Sequence, residues 1–471
     1  MKVTALRIPV IVVVALMVLT GCDWVSFGYS AARTRYNNTE TAITVANVSD
    51  LTKAWEGSDD GTPRAATASP AVAHGIAYIS VAVPTPNQPA GRDIELRAYD
   101  ARGSTSCDGL PKVCRPLWTA SLGDDGGGPH LASVHTPAVS DGVVFVTNRT
   151  TLYAFDASGT AGCSGEPKVC APLWNATLTT AYDTYTYTPT VAGGIVYVVS
   201  GDRLYAFDAA GVAGCSGVPK VCAPRWTGPV TASIGAEYSS PVVAGGMVYA
   251  PGSRRVHVFD ARGEVGCSGT PVSCTPIWST APDAGPDGYA VTAAVTGGRL
   301  YVDKGDRIDT YDATGSIGCG GAPKTCGARW SYPGNGNLGF SAIAIANGVL
   351  YSGGNQGSVL AAFDASGVSG CSGTPKLCAP LWTSTVRSGV RFSAPAIANG
   401  VAFIGGDSPG VLYAFDASGA QGCSGAPRTC EPLWSSPAIG RDPGDPVFSS
   451  PAVANGTVYI GTDATGIVAF E

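Results

Sequence analysis

Charge is what this sequence has least of. Only 14% of its 471 residues are Asp, Glu, Lys or Arg, against the ~25% of an average soluble chain. There is no Lys/Arg cluster and the net charge is −6, which argues against a nucleic-acid partner. No apolar run reaches the ~20 residues that a membrane-spanning helix needs. Long helices are disfavoured as well, because the 63 Gly and 34 Pro interrupt them. Disorder is excluded from the other side: 45% of the chain is apolar, ample surface to bury. What remains is a large all-β protein with tight turns and an odd number of cysteines, 15 in all.

The amino end is a segment of its own. Lys2 and Arg7 precede an apolar run from Ile8 to Leu19, followed by Thr20-Gly21-Cys22. The run has the length of a secretory-signal core. Leu19-Thr20-Gly21-Cys22 resembles a bacterial lipobox, in which the Cys is acylated and becomes the first residue of the mature chain. That resemblance implies a signal peptide over 1–21, a lipid on Cys22 and a chain held at a membrane by more than one acyl group. Asp23 resembles the inner-membrane retention signal of some Gram-negative lipoproteins. An uncleaved anchor or an ordinary signal is the plainer alternative.

The other fourteen cysteines fall into seven pairs of identical spacing: Cys107/Cys114, Cys163/Cys170, Cys215/Cys222, Cys267/Cys274, Cys319/Cys326, Cys371/Cys378 and Cys423/Cys430. From Cys163 onward each pair follows the last by 52 residues. Tryptophan keeps the same beat at Trp118, Trp174, Trp226, Trp278, Trp330, Trp382 and Trp434, with Trp55 leading. A fixed period of this size means a repeat architecture and not several independent domains. Within each unit two short apolar runs flank an Asn-Gly or Gly-Gly pair, as in Ala452-Val453-Ala454-Asn455-Gly456-Thr457-Val458-Tyr459. Asn-Gly between such runs signals a hairpin, since both residues tolerate positive φ. A third strand such as Val411–Asp416 leads through the cysteine loop to a fourth ending in Leu433-Trp434. Four short strands per unit make a propeller blade.

Counting predicts closure. After Trp434 only three strands remain, and the missing fourth is available in Leu51-Thr52-Lys53-Ala54-Trp55. The expectation is an eight-bladed propeller over 51–471, its last blade closed by the N-terminal strand with no open sheet edge. Residues 22–50 form a leader. Eight acidic positions end the third strands: Asp100, Asp156, Asp208, Asp260, Asp312, Asp364, Asp416 and Glu471.

Asp-Ala-x-Gly, with Trp placed 18 residues after the Asp, resembles the tryptophan-docking motif of quinoprotein-type (PQQ-like) propellers. The leader Asp23-Trp24-Val25-Ser26-Phe27-Gly28, with Arg33-Thr34-Arg35-Tyr36, is similar to the start of quinoprotein alcohol dehydrogenases. The resemblance implies an eight-bladed ring with Trp residues wedged between blades. It also raises a pyrroloquinoline quinone- and calcium-dependent dehydrogenase of alcohols or sugars. Against that activity, no two cysteines are adjacent, no Cys-x-x-Cys-His is present, and no base or calcium position can be matched. An outer-membrane-assembly lipoprotein is another anchored eight-bladed propeller of this kind, and it binds protein partners.

Chemistry is scarce in the repeat itself. Zinc needs four ligands, each loop offers two cysteines, and none of the four His recurs with the period. Export to an oxidising compartment favours local disulfides across each Cys-x6-Cys loop, pinning it on one face of the ring. The repeating Asp is explained by turn hydrogen bonding. Function is expected where the repeat breaks. Blade one carries an insert from Val81 to Arg97, and blade two opens with a Gly-rich stretch holding Asp124, Asp125 and His130. Blade three opens with Tyr182, Tyr185 and Tyr187, and blade eight with Arg441. Tyr187, Tyr238, Tyr289, Phe340, Phe392 and Phe448 precede the first strands; they either ring a funnel or pack between blades. The sequence therefore reads as an exported, lipid-anchored, monomeric scaffold facing the periplasm or cell exterior. It would bind a protein or small molecule, without catalysis and with no cofactor expected.

Overall fold

The computed structural model describes residues 22–57, 66–85, 88–124, 134–179, 186–231, 240–282, 292–304, 307–333, 343–353, 360–374, 376–386, 393–406, 410–440 and 449–471. They form eight sheets arranged as the blades of a ring. In each blade four antiparallel strands run outward in chain order. Blade three shows the pattern: Thr190–Ala192 innermost, then Ile195–Ser200, Arg203–Asp208 and Trp226–Pro229. The turn between first and second strands needs positive φ at both residues, and Asn399 (43°) with Gly400 (82°) supplies it in blade seven,. The alternating apolar residues of each strand are buried against the neighbouring blades, so the core lies between blades.

Blade eight closes the ring from both ends of the chain. Ala452–Ala454, Thr457–Thr462 and Gly466–Phe470 pair in order, and Lys53–Gly57 from the amino end adds the outer strand, with Trp55 opposite Ala469. The counting argument predicts this closure strand for strand.

The cysteine loops, expected as disulfide-pinned loops on one face of the ring, take a form that their spacing does not foretell. Each is a short β-hairpin that crosses to the preceding blade and pairs, in parallel, with that blade's outer strand. Cys107–Asp108 and Lys112–Cys114 extend blade eight through Trp55 and Lys112, while Cys163–Ser164 and Val169–Cys170 extend blade one. The sheets of blades two to six and blade eight thereby become six-stranded. All seven expected disulfides close these hairpins, and Cys22 is the free cysteine. Covering an outer strand hides unpaired N–H and C=O groups.

The bridges also form part of the core. The second cysteine of every pair (Cys114, Cys170, Cys222, Cys274, Cys326, Cys378 and Cys430) is buried and belongs to the apolar core. The first of each pair (Cys107, Cys163, Cys215, Cys267, Cys319, Cys371 and Cys423) is only half-buried. The crossing explains the difference. Cys274, Cys326, Cys378 and Cys430 each end the returning strand of their hairpin, which is the strand that pairs with the preceding blade. Their sulfurs thus combine a covalent role with a packing one, as befits a small apolar side chain.

Blade eight has no such loop of its own, because its third and fourth strands come from opposite ends of the chain. The outer strand of blade seven, Trp434–Ser435, consequently has no hairpin among the described residues. Among the described residues this strand keeps an open edge.

Closing an eight-residue loop contributes about 2.5 kcal/mol in the chain-entropy account. The double substitution Cys215→Ser, Cys222→Ser is expected to lower stability by at least about that amount, read as an earlier urea midpoint at unchanged slope. An unchanged midpoint would mean that pairing to blade two holds the hairpin without its bridge.

Blades lock onto one another at a repeated junction. The Trp that opens each fourth strand lies over the Gly of the next blade's Asp-Ala-x-Gly turn, as Trp278 does over Gly315. The Ala carbonyl of that turn accepts from Trp Nε1 in Trp55→Ala101 (3.0 Å), Trp174→Ala209 and Trp382→Ala417 (both 3.3 Å). The same carbonyl row accepts from a second-strand Tyr one blade back. Tyr78 donates to Ala157, Tyr197 to Ala261, Tyr249 to Ala313, Tyr301 to Ala365, Tyr351 to Ala417 and Tyr459 to Ala101, all at 2.7–2.9 Å. These tyrosines were not singled out by the sequence reading, although 197, 249 and 301 keep the 52-residue beat. Trp434 faces the seam, where no such turn exists, and donates to Leu51 O at 3.0 Å. It is half-buried while the other seven are buried.

Candidate functional site

The axis of the ring is occupied by the leader. Trp24 exchanges two 2.8 Å backbone bonds with Val72 of blade one, and Val25 O accepts from Val139 N of blade two. Arg33 donates from Nη2 to Thr190 Oγ1 of blade three (2.6 Å) and from Nε to Pro241 O, just ahead of blade four's first strand (2.8 Å). Ala31 O, Ala32 O, Thr34 O and Arg35 O accept from Val243, Val295, Ile345 and Ile397 of blades four to seven at 2.8–3.0 Å. Asn37 Nδ2 donates to Val453 O of blade eight at 2.8 Å, and Tyr36–Asn37 pairs in parallel with Ala396–Ala398. One segment thus bonds to every blade.

These bonds fall beside the turns joining first and second strands, so the leader stops the channel at that end. Positive φ at Gly28, Tyr29, Arg33 and Arg35 lets it coil within the ring,. Arg33 and Arg35 are buried, with the Arg35 guanidinium 3.8 Å from the Phe27 ring centroid. Burial, with the charge of Arg35 beside it, lowers the pKa of Arg33 to about 9, which leaves it charged at neutral pH. Its charge is met by carbonyls and a hydroxyl, Phe27 O (3.1 Å) among them, and by no carboxylate among the described residues. No sequence periodicity flags this plug, because it exists in one irregular copy.

The repeated acids are turn residues. Asp364 Oδ2 accepts from the N–H groups of Val368 and Ser369, and Oδ1 from Ser366. Burial alone would raise its pKa, but Ser366 and these backbone donors outweigh it and push the value down to about 2. The same arrangement recurs at Asp100, Asp156 and Asp416. A carboxylate committed in this way makes a poor proton acceptor near pH 7.

Of the face opposite the hairpins, the structure describes part. The Val81–Arg97 insert is no loop. The second and third strands of blade one, Ile76–Thr85 and Gln88–Asp100, run on as a paired arm with Val81 opposite Glu95 and Thr85 opposite Gln88. Second strands in other blades have 4–6 residues. Asp124 ends the fourth strand of blade one. Tyr187 is buried in the core of blades three and four with Tyr197 and Trp226, so it packs between blades and does not belong to a binding ring. Asp125, His130, Tyr182, Tyr185, Tyr238, Tyr289, Phe340, Phe392, Phe448 and Arg441 lie outside the described residues. His135 is buried against Thr147 O (3.1 Å), and burial lowers its pKa to about 4. Among the described residues no three His, Cys, Asp or Glu side chains gather as a metal site.

Four-stranded blades, an eightfold ring and Trp-on-Gly docking define the class: an eight-bladed β-propeller with tryptophan-docked blades. Residues 114–265 match the PQQ_2 family model, described as outer membrane protein assembly factor BamB. Among solved structures the chain is similar to BamB from Moraxella catarrhalis, at 11% identity over 89% of this chain and 97% of that one, with a TM-score of 0.50. Weaker likenesses are Sqt1 from Chaetomium thermophilum (10% identity, 89% and 98% covered, TM-score 0.46) and Hsv2p from Kluyveromyces lactis (8%, 76% and 94%, 0.41). At these identities the likeness is one of fold. No curated protein matches the chain.

Proposed function

We propose that this chain is an exported, lipid-anchored, monomeric propeller that binds a protein partner and performs no catalysis. Residues 1–21 act as its signal and Cys22 as its lipid site. The arm of blade one carries the reading: it breaks the repeat by extending two paired strands beyond the blade, on the end away from the plugged channel mouth. Paired strands present a rigid surface without ordering cost on binding, which suits recognition of a protein. The family description of residues 114–265 supports the same class of partner. No helix among the described residues is long and apolar enough to cross a membrane, so attachment falls to the amino end.

The test joins Val83 to Asp93, which are paired, through Asn-Gly in place of residues 84–92. Cross-linking in intact cells should capture a partner with the full chain and lose it with the shortened arm. The same partner on both would remove the arm from the reading. Purified protein given pyrroloquinoline quinone and calcium should reduce no dye with alcohols or sugars; turnover would establish the dehydrogenase in its place.

A further inference from the structure

Cys22, the proposed lipid site, is held by the ring. Cys22 N–H donates to Asn455 Oδ1 (3.1 Å), on the first turn of blade eight, and Asn37 Nδ2 donates to Cys22 O (3.0 Å). Asn37 is in turn bonded to blade eight and fully buried. Cys22 therefore sits at the axial mouth, on the end of the ring that carries the turns between first and second strands. The apolar run ends at Leu19, three residues earlier, a reach of about 10 Å at most for an extended chain. Whether the anchor is an acyl group on Cys22 or the apolar run itself, no linker separates it from this end of the propeller.

The same end carries the exposed apolar side chains. Third strands finish here, because Ala101 N bonds to Gly75 O and Ala157 N to Gly142 O, in the turns of blades one and two. The hairpin strand Lys112–Cys114 runs parallel to Lys53–Gly57, which starts at this end, so the hairpin tips point the same way as the turns. Leu110 and Val218 occupy two tips and are 95% and 101% exposed. Val212, Val265, Ile317 and Val368 lie between the Asp turns and the hairpins, each more than half exposed. Every exposed large apolar residue among those described falls in a segment joining a third strand to a fourth. Lys112, Lys168, Lys220, Lys324, Lys376 and Arg428 follow the tip proline in six of the seven hairpins. Lys112, Lys168, Lys220, Lys376 and Arg428 each donate to the Gly carbonyl of their own Asp turn. This holds these cations behind Leu110, Val218 and the exposed Val and Ile of the turns, an arrangement suited to the headgroup layer of a bilayer.

We propose that the turn-and-hairpin end of the ring lies against the lipid surface, with Cys22 at its centre and the hairpin tips in the headgroup layer. The arm of blade one then points away from the membrane. This orientation rests on the anchoring proposed above.

Its test uses the full chain in cell membranes, with the photoreactive residue p-benzoylphenylalanine at position 218, 317 or 202. Val218 and Ile317 belong to the hairpin end, whereas Asp202 is an exposed turn residue between second and third strands at the opposite end. Irradiation should yield phospholipid adducts from 218 and 317 and none from 202. Adducts from 202, or a chain that sediments with membranes yet gives no adduct from any position, would overturn the orientation and leave the anchor standing. Recovery of the chain in the soluble fraction would overturn the anchor itself.

Discussion

Trp278→Ala should destabilise the ring by about 3–5 kcal/mol, the usual cost of removing a fully buried aromatic side chain. The indole is 1% exposed and stands edge-on to Tyr249, 6.3 Å between centroids, at the junction of blades four and five. Its removal leaves a void between two sheets that are each held by their own ladders, so the site has little freedom to collapse. The partner surface makes a second and sharper test. Gly315 has φ +67°, and a Cβ there would stand 2.5 Å from Trp278 Cδ1 and 2.6 Å from Nε1. Gly315→Ala adds the left-handed penalty of about 1–2 kcal/mol to an overpacking cost of about 1–3 kcal/mol. Urea midpoints of both variants should fall together, and the double variant should lose less than the sum, because the added methyl fills part of the space vacated by the indole. Strict additivity would show that the Trp-on-Gly contact does not couple these blades.

Asp309→Asn is expected to cost about 3–5 kcal/mol, because it strands a buried cation. Lys304 and Asp309 are 3% and 4% exposed and 2.8 Å apart, with Ser331 Oγ donating to Asp309 at 2.6 Å and Tyr311 Oη at 3.1 Å. Burial pushes the Asp309 carboxyl up, but Lys304, Ser331 and Arg307 together outweigh it and hold the group below the ordinary carboxylate range. A depressed folded pKa gives stability that is fully present above the unfolded value near ~3.9 and is lost as pH falls through the lower folded value. The gap between wild type and Asp309→Asn should therefore stay constant from neutral pH down to about 5 and narrow in stronger acid. Lys304→Met with Asp309→Leu should recover much of the loss, since replacing both partners by apolar groups removes the stranded charge. Failure of that pair to recover would assign the cost to the hydroxyl network around Asp309.

The ring was legible because its determinants are local and repeated. Asn-Gly pairs set the turns, Asp-Ala-x-Gly sets the third-strand ends, and one count of strands after Trp434 predicts that Leu51–Trp55 must complete blade eight, where the structure has Lys53–Gly57. Spacing alone pairs Cys215 with Cys222, but it does not say where the hairpin goes; crossing to the preceding blade is a non-local choice made by the free outer strand there. For the same reason spacing does not distinguish the buried sulfurs of Cys274, Cys326, Cys378 and Cys430 from their half-buried partners. The leader was less legible still. Most of its partners are backbone groups of strands scattered from Val72 to Val453, and backbone groups leave no mark on sequence. Tyr187 settles, for that one position, the choice between funnel and packing that sequence left open: it is core between blades three and four.

The plug also acts as a gauge. Solenoids gain and lose units freely because each repeat touches only its neighbours, but here a single segment reaches from Trp24 on blade one to Asn37 on blade eight with a bond to every blade between. A spliced-in ninth copy of the 52-residue unit would widen the channel and leave one blade without a bond from the leader, and a lost copy would crowd the leader and take away one of its partners. The number of blades in this ring is thus fixed from the centre, by the segment that precedes the first of them.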